Sequence, residues 1–431
     1  MFPEDNGIYM NQLNRLFQKL RFPTLLQRLA VNLILSWALV LSVATASAQD
    51  SSITIRAGRL LDGIGGMTEN VTIKIEGSRI TQLSDASGPV DYDLTDLTVM
   101  PGWIDTHVHL TAHFNAAGRS NRDSNETPAQ TVLYAAENAH RMLMAGFTTV
   151  QSLGSTVDRD LREAIDRGSL PGPRVLTSLN AVFANSGTPD ELRAVVRKLQ
   201  VDGADVVKIF ASASIREGGI KVMSDEQLNA VCGEANEVGL RTVVHAYGTE
   251  SLTAVIEAGC GGIEHGNRYS DEVIELMAEH GTYLDPHIGL LYANYSDNRE
   301  KYIGIGNYTE QGFALMEEAR VIGYETFRRT LANGNVKIVY GTDAVAGAHG
   351  LNAEEFIYRV RDGGQDPMAA IISATSLAAE SLGLADQIGS VRPGYQADLI
   401  AVVGNPLEDI TSVRHVRFVM KGGVVYKFDP R

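Results

Sequence analysis

The chain has 431 residues, 44% hydrophobic and 21% charged, a composition that excludes a disordered chain or a polytopic membrane protein and supplies a core for one large domain with a small satellite. Its formal net charge of −15 disfavours nucleic acid and anionic membrane surfaces as partners.

Residues 1–48 carry the three parts of an export signal. Arg15, Lys19, Arg21 and Arg28 form the basic region, residues 30–44 the apolar run, and Ala46-Ser47-Ala48 a small-residue cleavage site before Gln49. An uncleaved membrane anchor is the competing reading, because a segment of this length barely spans a bilayer. Cleavage leaves a periplasmic or secreted chain without a stable anchor. The basic region lies far from Met1, so Met10 is an alternative start. The removed segment holds four of the 37 basic and two of the 52 acidic residues, which makes the mature net charge −17.

Residues 52–83 and 389–426 show strand-like alternation, as in Val71-Thr72-Ile73-Lys74-Ile75. They read as two halves of one small β-sandwich domain, residues 49–97 and 388–431, built from both ends of the mature chain. Between them, residues 98–387 alternate short apolar runs with helical stretches. The expected strands are 98–109, 147–153, 174–178, 206–210, 242–246, 262–265, 282–287 and 337–343. Amphipathic spacing predicts helices over 129–145, 189–201, 225–238, 250–258 and 271–280. Eight strands with crossover helices imply an α/β fold, the (β/α)8 barrel. Residues 294–329, rich in Tyr, Glu and Arg, are too long for a plain connection and are expected to form a helical insertion over the barrel mouth. Cys232 and Cys260 fall in stretches with helical patterning, and two buried free thiols are expected rather than a disulfide.

Polar residues that interrupt apolar strands mark the chemistry, since strand C-termini open on the barrel mouth. His107 and His109 share one strand face by the period-two rule, a geometry that suits two ligands of one metal, although His-x-His alone is weak evidence. Lys208, inside Val206-Val207-Lys208-Ile209-Phe210, would sit in a dry interior unless paired or modified. It is either a lysine buried against a carboxylate or a neutral amine that has combined with carbon dioxide. His245, His265 and Asp343 each end a strand. Any one of these could be a satisfied core residue; six in series argue for a metal site.

Pro101-Gly102-Trp103-Ile104-Asp105-Thr106-His107-Val108-His109 resembles the signature that opens the barrel of the amidohydrolase superfamily, and residues 389–399 resemble its return to the small β domain. The resemblance covers residues 50–431. Met144-Ala145-Gly146-Phe147-Thr148-Thr149-Val150, Ile263-Glu264-His265-Gly266 and Gly341-Thr342-Asp343-Ala344 are similar to the branch holding imidazolonepropionase-like proteins, Xaa-Pro-dipeptidase-annotated carboxypeptidases and ochratoxin-hydrolysing amidohydrolases. The resemblance implies two divalent cations, zinc by preference. His107, His109 and Asp343 would hold one, His245 and His265 the other, and N6-carboxylated Lys208 would bridge both.

Asp343 would serve as both ligand and catalytic base. The implied reaction is hydrolysis of the amide bond of a small dipeptide or N-acyl amino acid, with ochratoxin A cleavage to phenylalanine and ochratoxin alpha as a candidate activity. Related enzymes are commonly homo-oligomers. Tyr247, His287 and Arg216 are candidate substrate contacts; packing is the competing reading for Tyr247, a backbone hydrogen bond for His287 and a solvated loop for Arg216. The alternatives are a lactonase or phosphotriesterase with the same metals, an imidazolonepropionase-like cyclic-amide hydrolase or deaminase without the bridging lysine, and a non-catalytic binding protein.

Overall fold

Strands β1 (Ser52–Leu61), β2 (Met67–Glu76), β3 (Arg79–Asp85) and β4 (Tyr92–Pro101) alternate buried and exposed residues and pair into one sheet, in which β1 lies antiparallel to β2 and parallel to β4. The computed structural model describes residues 52–429 apart from Ser124; the expected export signal, 1–48, lies outside the described residues. Among the described residues, no helix is long and apolar enough to cross a membrane.

The barrel follows. Its strands are β5 (Trp103–Val108), β6 (Phe147–Ser152), β7 (Arg174–Thr177) with its continuation β8 (Ala181–Val182), β9 (Val206–Phe210), β10 (Arg241–Ala246), β11 (Gly262–His265), β12 (Tyr283–Asp285) and β13 (Lys337–Ile338). Neighbours pair in parallel in that order, from β5 to β7 and from β8 to β13. The ring closes where Thr106 N–H donates to the Tyr340 carbonyl (2.9 Å) and Asp343 N–H to the His107 carbonyl (2.8 Å). This closure brings the last ligand candidate beside the first.

The expected first strand, 98–109, is two strands. Residues up to Pro101 belong to the β1–β4 sheet and those from Trp103 to the barrel, with the break at Gly102. There the backbone approaches β6 so closely that a Cβ would lie 2.1 Å from Thr148 Oγ1. The helices begin where local chemistry dictates. Thr127 with Gln130, Thr188 with Glu191 and Ser224 with Gln227 form capping boxes, and Pro128 and Pro189 occupy first-turn positions that need no donor. A helix over Asp158–Asp166 was not expected, since Leu161 and Ile165 are the sparse apolar signal in a run of charges.

After the barrel, β14 (Leu399–Val403), β15 (Val416–Lys421) and β16 (Val424–Phe428) join β4, completing a seven-stranded mixed sheet in the order β16-β15-β14-β4-β1-β2-β3. Alternation gives it two apolar faces. Met100, Ile400, Val402 and Val419 pack with Trp103 and Phe147 against the barrel, while Val99, Leu399, Ala401 and Phe418 enclose a separate core with β1 and β2. The two ends of the described chain thus build the small β unit, as the alternation implied.

Cys232 and Cys260 form a disulfide with their Cα atoms 5.1 Å apart, which corrects the expectation of free thiols. The helix Asp225–Glu237 carries Cys232 against the turn that follows Gly248–Glu257, a proximity invisible to spacing alone.

Candidate metal centre

A cavity of about 590 Å³ opens at the C-terminal ends of the barrel strands, and His107, His109, Lys208, His245, His265 and Asp343 all line it. The six residues expected from their strand-end positions therefore converge. His107 Nε2 lies 3.3 Å from His109 Nε2, and Asp343 Oδ1 lies 3.4 Å and 3.0 Å from the same two nitrogens. These atoms form a compact three-donor cluster that could hold one cation. His265 adjoins both sides, its ring 5.6 Å from His107 and 4.6 Å from His245. His265 and Asp343 sit in the left-handed region, at φ of +73° and +50°, so the chain turns sharply at both of these ligand candidates.

The electrostatics favour ligation. Burial pushes His245 down to about 3 and holds His107 and His265 well below the usual histidine range. They are therefore neutral imidazoles, the ligating form. Asp343 is opposed by burial, but its hydrogen bond with His109 and the surrounding positive charge bring it down to about 2, so it is a carboxylate. Burial also lowers Lys208. Its Nζ makes no hydrogen bond to any described residue and has the Phe210 ring at 5.3 Å. A buried amine left so costs free energy unless something further occupies the space beside it. Three neutral imidazoles, a half-exposed fourth, a carboxylate and this amine suit hard or borderline divalent cations.

Beneath the cavity runs a buried polar chain. Glu264 Oε2 lies 2.6 Å from His107 Nδ1 and 3.4 Å from His287 Nε2, and His287 Nε2 lies 3.2 Å from Asp285 Oδ1. Thr106 Oγ1 donates to Asp285 (2.6 Å), and Gly341 leaves room for that carboxylate, because a Cβ there would meet it at 1.9 Å. Burial alone would lower His287, but the Asp285 and Glu264 carboxylates raise it to about 9. On the other side, Asp105 accepts from Thr342 and Asn352, each at 2.7 Å, tying β5 to the segment that carries Asp343.

Of the candidate substrate contacts, Tyr247 and Arg216 line the cavity and His287 does not. Tyr247 stacks on His265 with ring centroids 5.1 Å apart. His287 lies behind that ring, its Nδ1 3.0 Å from His265 Nδ1, so the expected substrate contact is corrected to a contact with a ligand candidate. Arg216 donates to Asn307 Oδ1 at 2.8 Å. The expected insertion is helical: Leu290–Asp297 and Glu310–Asn333 bring Tyr292, Tyr295 and Met316 to the cavity, and the turn between Arg299–Tyr302 and Glu310–Asn333 brings Asn307. Sequence reasoning left the role of Glu264 open and missed Asp285, Phe183 and Arg122. An acidic residue inside the apolar run Gly262-Ile263-Glu264-His265 was a usable signal; Arg122, in a loop, offered none.

The profile described as "Amidohydrolase family" matches residues 98–426. The chain is 27% identical to an ochratoxinase from Aspergillus niger over 433 aligned positions, covering 89% of this chain and 88% of that protein. It is 25% identical to an imidazolonepropionase from Porphyromonas gingivalis, covering 82% of each. A crystal structure of a Xaa-Pro dipeptidase with methionine bound in its active site superposes with a TM-score of 0.79 at 32% identity, covering 88% of this chain and all of that one. The signature around His107, the barrel with its mixed β sheet and these likenesses agree: the chain belongs to the amidohydrolase family and is a hydrolase acting on amide bonds.

Proposed function

We propose that the chain is an exported, binuclear metal-dependent amidohydrolase that cleaves the amide of small dipeptides or N-acyl amino acids. His107, His109 and Asp343 would hold one divalent cation, His245 and His265 would hold the second, and Lys208, as its N6-carboxylate, would supply oxygen donors to both. The observation that carries this reading is Lys208: a buried Nζ with no hydrogen-bond partner among the described residues, lining the same cavity as all five other donors. Addition of carbon dioxide to the neutral amine releases one proton and leaves a carbamate anion, which turns an uncompensated amine into two oxygen donors. Zinc suits the imidazole-rich donor set. When bound, the cations supply Lewis acidity, lowering the pKa of a water and polarising the scissile carbonyl.

The chain's own groups do the rest. Asp343, ionised at neutral pH, takes the proton released as water attacks and returns it to the departing amine, which an amide requires before it can leave. Glu264 orients His107 through Nδ1, and His287 packs behind His265 with its Nδ1 3.0 Å from His265 Nδ1. Tyr247 reaches the cavity from the residue after β10, where its hydroxyl can meet a substrate carboxylate or the developing oxyanion. The similarity to an ochratoxinase and to a Xaa-Pro dipeptidase supports an amino acid as leaving amine and makes ochratoxin A a candidate substrate. Residues 1–48 act as the export signal, residues 49–97 and 388–431 form the small β domain, and the Cys232–Cys260 disulfide suits an oxidising periplasm or exterior.

A panel of dipeptides and N-acyl amino acids, read by amine release, tests the proposal. Turnover of several members supports it. A panel left intact by an enzyme that hydrolyses a lactone or a phosphotriester contradicts it.

A further inference from the structure

Arg122 and Arg216 both line the metal-site cavity, from the loop after β5 and the loop after β9. They share one aromatic ring: the Arg216 guanidinium carbon lies 4.1 Å and that of Arg122 5.3 Å from the centroid of Tyr308. Arg216 also lies 5.5 Å from the Tyr295 ring. Neither arginine forms an ion pair with a described carboxylate, in a chain whose net charge is −15. Besides Asp343, the one carboxylate among the described residues lining the cavity is Glu217, which accepts from Asn307 Nδ2 at 3.1 Å. The Asn307 side chain, in turn, holds Arg216 Nε at 2.8 Å and fixes the plane of the guanidinium.

Two planar cations held against one ring, one of them also by an amide, and without an ion pair to a described carboxylate, have the chemistry that suits a carboxylate ligand. A different wall is apolar: Phe183, 44% exposed, stacks on Phe210 with centroids 4.7 Å apart, and Val222 stands beside them in the cavity lining.

We infer that Arg122 and Arg216 clamp the free α-carboxylate of the leaving amino acid, so that this site selects N-acyl amino acids and C-terminal residues with a free carboxylate over their neutral amides. The inference rests on the reading of the site as an amide hydrolase. The apolar wall at Phe183 and Phe210 receives the acyl group, with the scissile bond over His107, Lys208 and Asp343.

The test compares N-benzoyl-L-phenylalanine with N-benzoyl-L-phenylalaninamide, using benzoate release as readout, for the zinc-loaded wild type and for Arg122→Met, Arg216→Met and Arg216→Lys. The wild type prefers the acid over the amide in kcat/KM by about tenfold to a hundredfold, the range of a charge-assisted contact. Each methionine variant raises KM for the acid and narrows this preference at least tenfold, with zinc content and melting temperature held; Arg216→Lys keeps part of it. Equal use of acid and amide by the wild type overturns the clamp and leaves amide hydrolysis standing, as does a loss in the variants that is the same for both substrates. Should the wild type cleave neither compound, calorimetric binding of N-benzoyl-L-phenylalanine decides: affinity that falls at least tenfold in the variants supports the clamp while the hydrolase reading fails for this class, and affinity that is absent or unchanged overturns the clamp.

Discussion

Glu264 places a carboxylate oxygen 2.6 Å from Nδ1 of His107, and both side chains are almost wholly buried. Nδ1 is the nitrogen turned away from the His109–Asp343 cluster, so the contact fixes which nitrogen of His107 is left for a metal. Glu264→Gln keeps the shape and replaces the carboxyl group by an amide. Zinc affinity should fall about tenfold to a hundredfold, as measured by competition with a chromophoric chelator, while the fold stays intact.

Asp343→Asn removes the proton acceptor while keeping much of the side chain's volume. Turnover should drop by about a thousandfold or more, within the range attributed to general acid–base catalysis together with a lost ligand charge. The check is kcat on the best amide substrate with zinc content measured in parallel. Near-normal turnover in zinc-loaded Asp343→Asn would remove Asp343 from the mechanism.

Lys208→Met exchanges an uncompensated buried amine for an apolar chain of similar length. In metal-free protein this should be neutral or stabilising, by about 1 kcal/mol or more, because the desolvation cost of the amine disappears. Activity should be lost at the same time. Urea denaturation of the metal-free forms, beside assays of the zinc-loaded ones, reads both effects. A clear loss of metal-free stability would point to a structural partner for Lys208.

Breaking the Cys232–Cys260 disulfide by the double change to Ala should cost about 3 kcal/mol, since the bond spans 28 residues and restrains the unfolded chain. Thermal melting of the variant, or of the reduced protein, measures this. Activity at 25 °C should persist, because neither cysteine lines the cavity.

The candidate cluster was legible because polar residues interrupt or follow apolar strands that run to the barrel mouth, positions that burial makes unfavourable without a purpose. The barrel was legible from the same strands. Other features depend on relations that periodicity does not encode. Val99-Met100-Pro101-Gly102-Trp103-Ile104 reads as one apolar run, yet Gly102 passes the chain from the mixed sheet to the barrel. The disulfide joins two segments that meet only once the helices around them pack. His287 looked like its neighbours at strand ends, but its contacts with Asp285 and Glu264 hold it behind His265. Arg122 sits in a loop with no repeating pattern, and its relation to Arg216 exists only through Tyr308.

The central claim is a two-metal site bridged by a modified Lys208, and metal content per chain tests it most directly. Protein loaded with zinc in bicarbonate buffer and freed of excess metal should carry two zinc ions per chain by emission spectrometry, and Lys208→Met should retain at most one. One zinc ion per chain in both forms would contradict the account.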